Sequence, residues 1–224
     1  MAEPLFPDWF FDRADPGPDA AFYGPPRLVT HIDEGAIAAV GDLYAELSVE
    51  GEVLDLMSSW VSHFRAPPRR LVGLGMNAAE LAANPVLAEH VVHDLNVDPA
   101  LPFPDAGFDD VTCCVSVDYL VRPVEVFGEV ARVLRPGGRF VVTFSNRCFP
   151  TKAIRGWLAT DDRGHLQIVA AYFAAAADRF RDLRGERRPT PPGGDPLYAV
   201  WALRRRARGR PGPAYGVRLR RSVP

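Results

Sequence analysis

The octapeptide Val53-Leu54-Asp55-Leu56-Met57-Ser58-Ser59-Trp60 holds the strongest chemical signal in the chain. Its apolar run ends on a carboxylate and breaks into serines, the pattern of a buried strand followed by a sharp turn into a helix. Parallel α/β sheets hold adenosine moieties at such a place. Asp55 can equally be a loop carboxylate bonded to backbone amides. Further on, Ser116, Asp118 and Tyr119 follow one apolar run, and Asn146, Arg147, Cys148 and Lys152 follow the next. Asp118 is a candidate to accept a proton from an amine or hydroxyl, with Tyr119 orienting the donor. The alternative is a turn cap beside a core tyrosine. Lys152 is the only lysine among 26 basic residues. A compact ammonium in a chain that otherwise uses arginine suits an acidic substrate, although chance retention on the surface would look the same. No cluster has metal-ligand spacing, and no Ser-His-Asp arrangement is evident.

Strands and helices must alternate to carry these residues. Strand-like runs fall at 53–57, 70–74, 90–95, 110–117 and 139–145, after an amphipathic helix over 32–47. Helical patterns at 78–84 and 124–134 separate several of them, and a helix over 164–177 leads to weaker strands at 180–183 and 197–203. Such alternation predicts parallel strands joined by right-handed crossovers. Strands that are apolar nearly throughout predict helices on both faces. The fold class is therefore α/β, a three-layer, doubly wound, mostly parallel sheet. Leu134-Arg135-Pro136-Gly137-Gly138 stops a helix sharply, and Pro191-Pro192-Gly193-Gly194 reads as a hairpin loop.

Three regions follow: an irregular N-terminal arm over 1–26, one domain over 27–203 and a basic, flexible tail over 204–224. From Leu203 onward there are eight arginines and no acids, which leaves the rest with 18 basic and 28 acidic residues. An acidic body with a basic tail raises nucleic acid as a partner, against the simpler reading of a solvated end. Cys113, Cys114 and Cys148 form no CxxC pair and point to a reducing compartment. With neither a signal segment nor a membrane-length apolar run, the expectation is a soluble, cytoplasmic protein with no membrane partner.

Two further pieces carry a family resemblance over about 23–203: Leu101-Pro102-Phe103-Pro104-Asp105-Ala106-Gly107-Phe108-Asp109 before the fourth strand, and Leu134–Gly138 before the fifth. In that order and spacing they resemble a class I S-adenosylmethionine-dependent methyltransferase of the broad type 11 group. The resemblance implies a seven-stranded Rossmann-like methyltransferase fold whose last strand is antiparallel. It also implies S-adenosylmethionine as cofactor and a small-molecule methyl acceptor. Asp55 matches the acid of the family's glycine-rich turn, but Met57, Ser59 and Val61 stand where glycines would be. Gly75 stands where the family carries the acid that grips the ribose, with Asn77 nearby as a substitute hydrogen-bonding group. Asp94, at the end of the third strand, matches the acid that meets the adenine amino group. By the same resemblance the cofactor-binding set is Asp55, Met57, Ser58, Ser59, Gly75, Asn77, Asp94, Leu95 and Ser116. Asp118, Tyr119 and Lys152 are the catalytic candidates. Tyr23, Arg27 and His31 would belong to a lid over the acceptor, and His63 would face the cofactor's amino-acid end. The altered turn leaves a second reading, a methyltransferase-fold binding or assembly protein with weakened or lost catalysis.

Overall fold

The fold is that of a computed structural model, which describes residues 5–206 except Ala177. Seven strands make one sheet: β1 (Glu52–Leu56), β2 (Arg70–Gly75), β3 (Glu89–Val92), β4 (Phe108–Cys114), β5 (Leu134–Phe144), β6 (Phe180–Arg188) and β7 (Leu197–Arg204). Their order is β3-β2-β1-β4-β5-β7-β6. The first five pair in parallel, whereas β7 runs antiparallel to both β5 and β6. Among the described residues six α-helices accompany the sheet: α1 (Asp19–Tyr23), α2 (Glu34–Glu46), α3 (Ala78–Ala83), α4 (Pro123–Val133), α5 (Arg155–Leu158) and α6 (Asp162–Ala175). This is the seven-stranded, doubly wound sheet expected, antiparallel last strand included.

The period of two along β1 divides the core. Val53 packs in a cluster with Val40, Leu43 and Tyr44 of α2, while Leu54 and Leu56 join Phe127, Phe140 and Tyr172 on the other side. Asp55 therefore points to the α2 face. Gly137 adopts φ +91° in the turn before the regular part of β5. At Gly138 a Cβ would lie 2.4 Å from the Asp109 carbonyl oxygen, so the chain can pass there only without a side chain.

Three expectations need correction. No helix follows β1: residues 57–69 are irregular. Serine hydroxyls compete with helical hydrogen bonding, and here Ser58 and Ser62 turn theirs onto Asp55. Pro67 and Pro68 then close the segment, and α2 covers the sheet face that the missing helix would have shielded. The N-terminal arm is not wholly irregular, since it contains a 3-10 turn over Asp8–Phe11 and helix α1. Phe6, Phe10 and Phe11 pack against the main core. At the other end β7 reaches Arg204, and the Arg205 Nε donates to the Phe180 carbonyl at 2.7 Å. The tail expected to be basic and flexible lies, beyond Arg206, outside the described residues.

Candidate functional site

A cleft of about 260 Å³ opens at the carboxyl ends of β1, β2, β3 and β4, where the strand order reverses around β1 and crevices form in open sheets. Eight of the nine expected cofactor residues line it: Met57, Ser58, Ser59, Gly75, Asn77, Asp94, Leu95 and Ser116. Asp55 does not. Its carboxylate is buried, with Oδ2 accepting from Ser58 Oγ at 2.7 Å and Ser62 Oγ at 3.0 Å, and Oδ1 from Thr112 Oγ1 at 2.8 Å. Burial pushes this carboxyl above its ordinary range, and the three hydroxyls pull back against that shift. Asp55 lines a smaller adjoining hollow of about 90 Å³ with His63, Tyr44 and Ser62. It organises the turn from behind, and His63 faces the same hollow.

Met57 has φ +57°, the left-handed conformation that favours glycine. Its side chain packs against the main core cluster. Val115, just past β4, is also left-handed at φ +52°. Two non-glycine residues in this conformation at the tips of adjacent central strands mark backbone held under strain beside the cleft.

Gly75 is fixed by the same turn. The Ser58 N–H donates to the Leu74 carbonyl at 2.8 Å, which lays Ser58 over the end of β2. A Cβ at residue 75 would lie 2.1 Å from the Ser58 carbonyl oxygen. No side chain fits there, which explains why the family's acid is absent. Asn77 cannot replace it freely. Its Oδ1 caps α3 by accepting from Ala79 N and Glu80 N, and its Nδ2 donates to the carbonyls of Tyr23 and Gly24. Both of its amide hydrogens are thus spent on the N-terminal arm.

Asp94 keeps acceptor capacity. Its Oδ1 accepts from Asn96 N at 2.9 Å and Val97 N at 3.3 Å, and the residue lines the cleft. Asn96 in turn donates to Asp19 Oδ2 and the Tyr119 carbonyl, tying arm, β3 turn and β4 turn together. The Ser116 hydroxyl donates back to the Cys114 carbonyl at 2.9 Å.

Of the three catalytic candidates, only Tyr119 lines the cleft. Its hydroxyl accepts from Phe149 N at 2.9 Å. Asp118 lies behind it, 2% exposed, with Oδ2 lacking a hydrogen-bond partner among the described residues. Burial pushes its carboxyl up to about 8, so it is neutral at pH 7. Lys152 is fully buried, its Nζ 2.9 Å from Asp15 Oδ2 and from the Gly17 carbonyl and 3.1 Å from Asp19 Oδ1. These contacts make it a clamp between the arm and the segment after β5. The sequence could not separate this role from a substrate-binding one, because the arm's packing is a long-range fact. His165 is likewise structural, stacked on Trp157 with ring centroids 3.9 Å apart.

The far wall is aromatic. Phe149 contacts Phe22, Tyr23, His31 and Tyr119 at centroid separations of 5.1–6.4 Å, and the Arg27 guanidinium lies 4.6 Å over Phe22. Tyr23, at the end of α1, lines the cleft together with Arg27 and His31, which lie on a strap over 24–31. Asn77, Glu80 and Trp60 hold that strap by hydrogen bonds to its backbone. Sequence reasoning missed Phe149 and Glu80. Glu80 carried one signal, its capping-box position three residues after Asn77, whereas nothing around Phe149 distinguishes it from a core residue.

Sheet order, the antiparallel β7 and a cleft at the switch point define the class, a Rossmann-like methyltransferase fold. Residues 55–142 match the family described as "Methyltransferase domain". Methyltransferase GfsG of Streptomyces halstedii is 25% identical over 202 residues, 80% of this chain and 73% of that protein. The ubiquinone/menaquinone biosynthesis C-methyltransferase UbiE of Roseobacter denitrificans is 41% identical over 68 residues, 30% of this chain and 26% of that protein. In fold, the crystal structure of the [4+2]-cyclase SpnF matches with a TM-score of 0.56 at 16% identity, covering 83% of this chain and 91% of that one. Among the described residues no helix is long and apolar enough to cross a membrane, and no group of three or more His, Cys, Asp or Glu residues is arranged to hold a metal.

Proposed function

We propose that this protein transfers a methyl group from S-adenosylmethionine to a small-molecule acceptor bound under the 24–31 strap. The observation that carries the reading is that the variant turn does not fill the crevice. Met57 packs inward on the core, and a cleft of about 260 Å³ persists beside it. That volume is just below the roughly 300–1,000 Å³ of typical ligand clefts. The residues fit an adenosyl ligand: Asp94 Oδ2 can accept from an exocyclic amine, Leu95 and Leu74 offer apolar surface, and Ser58, Ser59 and Ser116 offer polar groups. When bound, the cofactor supplies an electrophilic methyl group on a sulfonium.

The chain's own contribution is alignment and exclusion of water. Tyr119 and Phe149, inclined by 32°, with Tyr23 set edge-on to both, form an aromatic wall against which an apolar acceptor can lie. The Asp118 carboxyl, neutral and behind Tyr119, takes no proton at pH 7. His31, at the rim over Phe149, is the titratable group best placed to take one when an acceptor must lose it. The test is calorimetric titration with S-adenosylmethionine and S-adenosylhomocysteine. Saturable binding that Asp94→Ala weakens about tenfold or more supports the proposal, and absence of heat at millimolar ligand refutes it.

A second reading, a binding or assembly protein on the same fold, draws on the commitment of Asp55 and Asn77 to internal bonds. It predicts ligand binding with no methylated product by mass spectrometry across a panel of hydroxyl, amine and carbon acceptors. Removing the arginine-rich end would separately test a nucleic-acid partner through loss of salt-sensitive retention on RNA or DNA.

A further inference from the structure

Glu80 is the one carboxylate on α3 that lines the cleft, and two separate parts of the chain hold it in place. Its Oε1 accepts from the Arg27 backbone N–H of the strap at 2.7 Å. Its Oε2 accepts from the Ser59 hydroxyl of the post-β1 turn at 2.6 Å. A carboxylate offers about four acceptor positions, and the described residues take two of them on a group fixed from both sides. Meanwhile Gly75, also lining the cleft, can carry no side chain, because the Ser58 carbonyl occupies the position of its Cβ. Asn77 has no amide hydrogen to spare.

We infer that Glu80 accepts the ribose hydroxyls of the adenosyl ligand, from the first turn of α3 rather than from the end of β2. The inference rests on the proposed use of S-adenosylmethionine and adds a residue that the family's usual pattern does not supply. Its location has a consequence: the carboxylate that holds the ribose also holds the strap, through Arg27 N. Ligand binding and strap placement therefore share one group, and loss of Glu80 loosens both.

The experiment compares S-adenosylhomocysteine with its 2′-deoxyribose analogue by calorimetry on the full chain and on Glu80→Ala and Glu80→Gln. The wild type should prefer the ribose form by roughly ten- to a hundredfold, the range for a hydrogen bond to a charged group. In Glu80→Ala that preference should collapse to near unity. In Glu80→Gln, which keeps a side-chain oxygen and the overall shape, it should fall partway. Circular dichroism melts of the unliganded variants check that each is folded, and Glu80→Gln keeps the test decisive should the alanine variant unfold. An undiminished preference in both variants overturns the inference while leaving the methyl-donor reading intact. Failure of the wild type to bind either compound overturns both.

Discussion

Restoring the family's acid at position 75 should harm this protein. Gly75→Asp places a Cβ 2.1 Å from the Ser58 carbonyl oxygen, well inside any real contact, and the obstacle is backbone that cannot swing aside as a side chain would. Relief requires lifting Ser58, which breaks its N–H bond to Leu74 O and disturbs the Ser58–Asp55 contact. Overpacking of this kind costs about 1–3 kcal/mol, and each lost hydrogen bond about 1 kcal/mol more. The sum is about 2–5 kcal/mol, which in a chain of this size lowers the melting temperature by about 5–15 °C. Gly75→Ala should give most of that loss, because the clash is at Cβ and not at the carboxylate. The assay is a pair of thermal melts with S-adenosylhomocysteine titrations on both variants. If Gly75→Asp melts with the wild type, or binds the nucleoside more tightly, the packing argument is wrong.

Other perturbations probe the surroundings. The unfolded Asp118 releases its proton near the ordinary 3.8, while the folded group keeps it to about 8. Stability should therefore fall as pH rises between those values, by up to about 1.4 kcal/mol per pH unit, and level off above. Urea titrations at pH 5, 6, 7 and 8 should show Asp118→Asn gaining on the wild type across that window, and a flat difference would refute the assignment. Lys152→Met removes the buried ammonium that joins the part-exposed Asp15 to the buried Asp19 and should lower the melting temperature, although Arg13 still pairs with Asp19. It should also speed proteolysis within the arm. Asn77→Asp keeps the α3 cap but deletes both donors to Tyr23 and Gly24. Strap cleavage should rise with little change in global melting, whereas Asn77→Ala should raise strap cleavage and lower the melting temperature as well.

Much of the fold was legible because its signals are local. Apolar strands and alternating periods recover six of the seven strands to within about two residues at their starts; β5 begins at Leu134, five residues before the expected 139, and β6 runs on past the expected 183 to Arg188. The missing β1–β2 helix was not legible, because its absence depends on where three hydroxyls and one carboxylate point. For the same reason the sequence set Asp55 in the cleft when it lies behind the turn. Asp118, Tyr119 and Lys152 were equivalent on paper, each following a strand, and burial alone separates them. Tyr119 faces the cleft, Asp118 is sealed beneath it and Lys152 is spent on the arm.

The departures from the family pattern depend on one another. With no helix after β1, the turn is held instead by Asp55 bonding to Ser58 and Ser62. Asn84 secures it from outside by donating to the Ser59 carbonyl and Ser62 Oγ. In that shape the Ser58 carbonyl covers Gly75 and the Ser59 hydroxyl meets Glu80. Any one of these residues looks like decay when compared singly with a glycine-rich turn. Together they form a closed hydrogen-bonded unit in which the glycine at 75 is required by the serine at 58, and the glutamate at 80 is braced by the serine at 59. Decay would leave unpartnered polar groups in such a turn, and the carboxylates of Asp55 and Glu80 each accept hydroxyl donors from it. A single substitution toward a glycine-rich turn should therefore fail, and such a turn should be accepted only when residues 57–62, 75 and 80 are exchanged as a block.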